Sequence, residues 1–303
     1  MKKVPFPGGT PYPREATLWE PRGEARAAVL ISHGMAEHIA RYDAFGRALA
    51  EAGYLTAGYN HLGHGDEAPL KGHFAGRDGW GKAVADLKTA MDWLSGLAPG
   101  RKRVLFGHSM GSFLAREFTL RYPDALDALI LSGTGWHPKP LALSGLLPAR
   151  ALCALGGERK KSRLLDKLAF GSNNRQFAVP EGLAFDWLSR DRAEVQKYMD
   201  DPLCGFVFTA GGFRDLFGGL LALSDTERLK VLPGTLPVRL VSGGDDPVGG
   251  QGKGVEAVAE QYRAAGLGNV TVKLYEGARH ELLHETNRDE AMRDLIHWLD
   301  GHT

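Results

Sequence analysis

The sequence predicts an α/β chain: a mostly parallel central sheet flanked by helices on both faces, with an inserted helical cap. Three observations predict it. Short apolar runs alternate with stretches of helical periodicity over residues 16–133 and again over 236–303. Runs such as Ala27–Ser32 (AAVLIS) are apolar almost throughout, as strands covered on both faces are. From about residue 134 to 232 the alternation stops, leaving helical fragments rich in Leu, Phe and Trp and broken by glycines. About 100 residues is too long for a structureless loop inside a compact domain. The chain is therefore expected to divide into a core of residues 1–133 and 233–303 and a cap of residues 134–232.

Taken in order, residues 1–15 are rich in Pro and Gly and read as an irregular arm. Strand candidates at 16–20 and 27–32 are joined by the polar turn Pro21-Arg-Gly-Glu24. The loop Ser32-His-Gly-Met-Ala-Glu-His38 leads into a helix marked by Tyr42, Phe45, Leu49 and Ala50 and closed by Gly53. Residues 54–59 form the next strand, followed by the loop Asn60-His-Leu-Gly-His-Gly-Asp66. Val84, Leu87, Met91 and Leu94 recur at helical spacing over 80–97, before Pro99-Gly100. A strand at 104–106 enters Gly107-His108-Ser109-Met110-Gly111, and helical spacing resumes through Phe113, Leu114, Phe118 and Leu120. Residues 128–132 are a further strand. Beyond the insertion come a strand at 236–241, a helix at 254–265, a strand at 270–275 and a helix at 290–299.

Composition narrows the class. The 303 residues are 43% apolar and 24% charged with a net charge of +1, so nothing marks nucleic acid as a partner. Cys153 and Cys204 are far apart and belong to no C-x-x-C or Cys/His cluster, so neither a disulfide framework nor a structural zinc is expected. The first residues include two lysines but no apolar signal-peptide core, and no stretch approaches the roughly 18 apolar residues of a membrane span. A cytoplasmic protein is expected, and nothing in the sequence specifies a second copy of the chain.

Strand, G-x-S-x-G, helix is the layout of a turn that presents a serine in a strained conformation between small residues. With 40 glycines in 303 residues, the pentapeptide alone arises by chance roughly 0.2 times in such a chain, so its weight depends on partners. A serine nucleophile needs a histidine to take its proton, and the histidine needs a carboxylate to fix its tautomer. Among 11 histidines, His280 follows the strand at 270–275 by a short loop and precedes the last helix. His284 is its main competitor. His297 sits in the final helix beside Trp298, and His33 and His108 read as shaping turns around the serine. Asp246 follows the strand at 236–241 in Ser242-Gly-Gly-Asp-Asp-Pro-Val248 and is chosen as the acid, with Asp245 a solvated neighbour. Asp215 and Asp225 fall in the insertion and read as caps or surface charges. The oxyanion needs two N–H donors, one after the nucleophile and one after an earlier strand, which selects the backbone of Met110 and Met35.

With these residues placed, the chain resembles the monoacylglycerol lipase and lysophospholipase branch of the α/β hydrolases, also labelled serine aminopeptidases. The resemblance rests on H-G-M-A-E-H-x-x-R-Y (His33 to Tyr42), L-G-H-G (Leu62 to Gly65), G-H-S-M-G, G-G-D-D-P-V and Y-E-G-A-R-H-E (Tyr275 to Glu281). It covers about two-thirds of the chain and extends to the cap through Phe185 to Asp191 and Asp201 to Phe206. The resemblance implies an α/β-hydrolase fold, Ser109 as nucleophile, Asp246 as acid, His280 as base and the Met35 and Met110 N–H groups as oxyanion donors. It implies no metal and no organic cofactor, and a cap that covers an acyl pocket. Three departures stand out. Ser112 replaces a second glycine after Gly111. Asn60-His-Leu replaces an Asp-x-Arg that supports the following loop. The N-terminal region offers few strands, so the sheet is expected to lack its first.

The expected function is hydrolysis of a small-molecule lipid ester, a monoacylglycerol or lysophospholipid, with medium or long acyl chains preferred over acetyl. Leu141 to Leu155 and Phe206 to Leu223 are apolar enough to line an acyl pocket or form a lid, or simply to pack the cap on the core. An aminopeptidase or small-ester esterase on the same triad is the alternative, with Asp186, Asp191, Asp200 and Asp201 available to hold an amine. A non-catalytic ligand-binding protein is the other. The basic run Arg159-Lys160-Lys161 with Arg163 reads as a solvated face or as a peripheral membrane contact through the cap.

Overall fold

The computed structural model describes residues 1–6, 8 and 12–303. Eight strands form one sheet: β1 (Lys2–Phe6), β2 (Arg14–Trp19), β3 (Ala27–Ser32), β4 (Leu55–Tyr59), β5 (Lys102–His108), β6 (Ala128–Ser132), β7 (Val238–Gly243) and β8 (Val270–Tyr275). Their order is β1-β2-β4-β3-β5-β6-β7-β8. The first two pairings, β1 with β2 and β2 with β4, are antiparallel, and the rest of the sheet is parallel.

The sheet does not lack its first strand. Lys2–Phe6 pairs with Arg14–Trp19, Lys2 opposite Leu18, within what reads in sequence as an irregular arm. The segment KKVPF carries little apolar signal because it is an edge strand with Lys2 and Lys3 in solvent, the one place in a sheet where Pro5 is tolerated. The rest of that arm falls partly on residues 7 and 9–11, outside those described.

Alternation along each strand sends side chains to two cores. Val29 and Ile31 of β3, with Val104 and Phe106 of β5, pack on one face against α1 (Asp43–Glu51). Ala28, Leu30 and Leu105 pack on the other against α2 (Gly79–Leu97) and α3 (Met110–Arg121). Because both faces are covered, the sequence of β3 shows no polar alternation, and every one of its residues is buried.

Between β6 and β7 lie α4 (Lys139–Leu152), α5 (Arg163–Phe170), α6 (Arg192–Asp200) and α7 (Ala210–Leu223). Among the described residues this insertion adds no strand to the sheet. Its last helix joins the main core: Phe213, Leu216 and Leu220 belong to the α2/α3 side. Small residues let α7 approach that closely, since a Cβ on Gly219 would stand 2.2 Å from the Trp80 ring. Residues 206–223 are therefore mainly packing, with Phe206 alone of that stretch reaching the cleft described below.

The helical stretch Lys139–Gly157 is 19 residues long with a mean hydropathy of 1.3 over its best window, enough by length and composition to cross a membrane. This corrects the expectation that no stretch approaches a span; Lys139, Arg150 and Pro148 interrupt the apolar run in the sequence. The chain closes with α8 (Lys253–Ala264) and α9 (Arg288–Asp300), packed on opposite faces of the sheet.

Candidate active site

β5 is central in the sheet, and the chain turns sharply at its C-terminal end. Ser109, between β5 and α3, holds φ +52° and ψ −121°, a conformation uncommon outside glycine. The flanking glycines are sterically required. A Cβ on Gly111 would lie 2.1 Å from the Ser32 carbonyl oxygen, and one on Gly107 would lie 2.5 Å from the Gly111 carbonyl oxygen. Ser109 N–H donates to the Ser132 carbonyl (2.9 Å), and Ser112 Oγ donates to the Ser109 carbonyl (2.6 Å), so the Ser112 departure adds a tie to the turn.

The loop after β8 brings His280 to the same cleft. Its ring is 2% exposed, and Nδ1 stands 3.0 Å from both carboxylate oxygens of Asp246, which is fully buried after β7. Asp246 also accepts from Ser242 Oγ and from Val248 N–H, each at 2.9 Å. Burial pushes the Asp246 carboxyl up, but His280, Ser242 and the Val248 N–H outweigh it and hold it below its ordinary range. Burial likewise lowers the His280 pKa, and the Asp246 charge outweighs that to leave it raised. Ser109 and His280 line one cleft that opens to solvent. Among the described residues no hydrogen bond closes between them, and such bonds commonly tighten only with substrate in place.

Met35 and Met110 line or border this cleft from two elements. Gly34 N–H donates to Glu37 Oε1 and Ala36 N–H to His64 Nε2 (3.1 Å), so the Met35 N–H lies between two fixed neighbours and has no protein acceptor among the described residues. Met110 is the first residue of α3, where an N–H has no intrahelical acceptor. The five residues selected from sequence thus converge on the ends of β3, β5, β7 and β8.

The competitors lie elsewhere or do other work. Asp245 is exposed, and His297 is exposed on α9. His284 stands 3.4 Å from Glu194 of α6. His33 and His108 are buried and held neutral, both lowered to about 4 by burial. His33 accepts from the His61 N–H (3.0 Å) and bonds the Gly34 carbonyl (2.8 Å), which fixes the Gly34-Met35 loop. Asp225 does cap a short helix, whereas Asp215 is buried in α7 beside Arg214, neither a cap nor a surface charge.

Sequence reasoning gave no role to the ionic network beside the cleft. Arg41 donates to Glu37 (2.7 Å) and, through both terminal nitrogens, to Glu281 (2.6 Å each), while Tyr42 Oη donates to Glu37 (2.8 Å). Burial pushes the Glu37 and Glu281 carboxyls up, but Arg41 outweighs it and keeps both ionised. The signal was present: three charged residues inside the two motifs that also carry Met35 and His280. The Asn60 departure is also accommodated. Arg14 of β2, buried against Phe6 and Tyr59, donates to the Asn60 carbonyl (3.3 Å) and to Asp86 (2.8 Å), supplying a guanidinium from another strand.

One cluster has the donor types of a metal site: His38, Asp201 and Cys204. His38 Nε2 already bonds Asp201 (2.8 Å), and burial pushes the Cys204 thiol up, away from the thiolate a metal prefers. The His38–Asp201 hydrogen bond links the β3–α1 loop to the insertion.

The serine aminopeptidase S33 family matches residues 23–287. The chain belongs to this family. It is 31% identical to a monoacylglycerol lipase of Mycolicibacterium smegmatis over 94% of this chain and 92% of that protein. It is 27% identical to a monoglyceride lipase of Mus musculus over 92% and 82% of the two chains. Among solved structures it is similar to a highly thermostable carboxyl esterase from Bacillus coagulans in complex with glycerol, at 26% identity and a TM-score of 0.92, covering 99% of this chain and 98% of that one. The sheet and its flanking helices are the α/β-hydrolase fold, and the family is the one its motifs resemble.

Proposed function

We propose that this protein hydrolyses monoacylglycerol-type lipid esters through an acyl-enzyme formed on Ser109. It is a serine hydrolase of carboxylic esters. The observation that carries the mechanism is Ser109 at φ +52° in a cleft it shares with a buried His280 already paired to Asp246. His280 takes the Ser109 proton as the oxygen attacks the ester carbonyl. Asp246 holds the ring with Nδ1 protonated and stabilises the imidazolium. The N–H groups of Met35 and Met110 receive the oxyanion. His280 then returns the proton to the leaving alcohol, and water, activated by the same base, releases the acid.

The cleft favours a neutral glycerol ester over a lysophospholipid. Its charged lining is Glu37, Glu281 and Asp166, and the nearby Arg41 is committed to the first two, so an anionic phosphate meets net negative charge. The relatives named above are monoacylglycerol or monoglyceride lipases, which supports the same class. The aminopeptidase alternative loses its candidates. Asp186 accepts from Leu183 N–H, Asp191 caps α6 and pairs with Arg288, Asp200 bonds Gln196 at the surface and Asp201 pairs with His38. None of the four lines the cleft.

The part of residues 134–232 that precedes α7 acts in this reading as the cap, with α5 and the 185–188 turn roofing the cleft. The exposed leucines of α4 and α5 make this cap the face that meets a lipid surface. Two free cysteines fit a reducing, cytoplasmic setting. The test is Ser109→Ala on purified protein with p-nitrophenyl octanoate. Activity is expected to fall on the order of 10⁴-fold or more, with the wild type preferring octanoyl to acetyl esters. Full turnover by the variant sinks the mechanism, and a steady fall in kcat/KM from acetyl upward sinks the lipid assignment.

A further inference from the structure

The loop Leu62-Gly-His-Gly65, after β4, carries part of the family resemblance, yet neither the triad nor the two oxyanion donors draws on it. Its glycines turn His64 inward. Gly63 and Gly65 hold φ +72° and +75°, and a Cβ on them would lie 2.7 Å from the His73 carbonyl oxygen and 2.3 Å from Asn60 Nδ2. His64 between them is 1% exposed, with His33, Phe74, Phe206 and Phe208 around its ring at centroid distances of 5.1 to 6.1 Å.

Hydrogen bonds leave this ring one tautomer. Nδ1 lies 2.9 Å from the Leu62 carbonyl, which only accepts, so Nδ1 carries the proton. Nε2 is then a bare acceptor, and it receives the Ala36 N–H at 3.1 Å. Burial lowers the pKa of the ring to about 3, so it stays neutral at any ordinary working pH.

Ala36 needs such a partner. Among the described residues four other than glycine hold a positive φ, and Ala36 (+52°) is one of them, with Ser109 another. A residue with a Cβ persists there only when its surroundings over-determine it. The Ala36 carbonyl accepts from the Gly205 N–H (2.9 Å) and from Tyr198 Oη (3.1 Å), while its N–H is held by His64. Met35 therefore stands between two fixed peptide groups. The one before it is held at the Gly34 carbonyl by His33 (2.8 Å), and the one after it at the Ala36 N–H by His64. With both planes held, the Met35 N–H has a single direction.

We propose that His64 is a positioning residue for the oxyanion hole: by accepting the Ala36 N–H it keeps the strained turn closed and the Met35 N–H aimed at the oxyanion. This role rests on the reading of Ser109 as nucleophile and Met35 as oxyanion donor. Its effect belongs to the transition state and not to ground-state binding.

An octyl trifluoromethyl ketone separates those two states. Ser109 Oγ adds to its carbonyl carbon, the hydroxyl proton passes to His280, and the hemiketal oxyanion forms with no leaving group. The ether 1-O-octylglycerol offers no such carbon and reports ground-state binding alone. The experiment measures kcat/KM for p-nitrophenyl octanoate, Ki for the ketone and Kd for the ether in the wild type, His64→Phe, His64→Leu and His64→Gln. The Phe and Leu variants fill the space without an acceptor. They are expected to lose about 30-fold in both kcat/KM and ketone affinity, less than the roughly 10²–10³-fold cost of deleting an oxyanion donor outright. Ether binding is expected to stay within about twofold of wild type, and His64→Gln, whose amide oxygen accepts the same N–H, within about fivefold on every readout. Unchanged ketone affinity in the Phe and Leu variants overturns the inference, as does an equal loss of ketone and ether or a Gln variant as impaired as Phe. In the wild type itself, nitrogen NMR of labelled histidine is expected to place the His64 proton on Nδ1, and a proton on Nε2 overturns the inference without any variant. If the ketone does not inhibit the wild type, the reading of Ser109 has failed. If it does and position 64 leaves its Ki unmoved, only the role of His64 has.

Discussion

Ser109 keeps its positive φ because the surroundings leave no other arrangement: Gly107 and Gly111 admit backbone where any Cβ would collide. The nearby histidines are sorted by what they touch. His33 and His108 are neutral by burial, whereas His280 sits 3.0 Å from the buried Asp246 carboxylate and is raised. The sign of the pH dependence follows. A general base must be neutral, so kcat/KM falls as pH drops through the His280 pKa, with its acid limb above the ordinary imidazole value of about 6.5. In Asp246→Asn the raising charge is gone while burial remains, so the limb moves to lower pH and kcat falls about 10⁴-fold. A pH–rate profile with an acid limb unmoved by that substitution contradicts the pairing. These residues were legible because an elbow, a strand-end acid and a post-strand histidine come in a fixed chain order. The Arg41 network was not, because no local spacing pairs Arg41 with Glu281, 240 residues away, until the fold brings them together.

At the scale of elements, the buried strands were the most legible part of the chain. Ala27–Ser32 and Ala128–Ser132 have the bounds their sequences suggest, since continuous apolar runs stop abruptly at turns. The Lys2–Phe6 strand was invisible for the opposite reason: an edge needs little apolar surface. The insertion was harder still. Leu147, Leu155 and Leu164 on α4, the turn after it and α5 are exposed, Leu155 to 84%, beside Arg159, Lys160, Lys161 and Arg163. Apolar side chains flanked by cations suit an anionic lipid surface. Vesicles containing phosphatidylserine are expected to bind the protein, and Leu147→Ser with Leu155→Ser to weaken that binding about tenfold or more. Equal sedimentation of variant and wild type with the vesicles removes the membrane from the account.

For the whole molecule, the alternation of strand and helix was enough to predict a parallel sheet wrapped on both faces, because that rhythm has few stable three-dimensional solutions. What alternation could not convey was that α7, deep in the insertion, completes the core beside α2 and α3 through glycine contacts rather than sitting apart in a cap. The sheet gathers residues from positions 35 to 280 at its C-terminal edge, and the insertion roofs them. Whether Ser109 carries the acyl group between the two half-reactions is read by mass spectrometry of protein quenched in acid during turnover of p-nitrophenyl octanoate. An octanoyl mass increase is expected on the peptide containing Ser109, with a matching burst of p-nitrophenol, both absent in Ser109→Ala. An adduct on another residue, or undiminished turnover by Ser109→Ala, contradicts it.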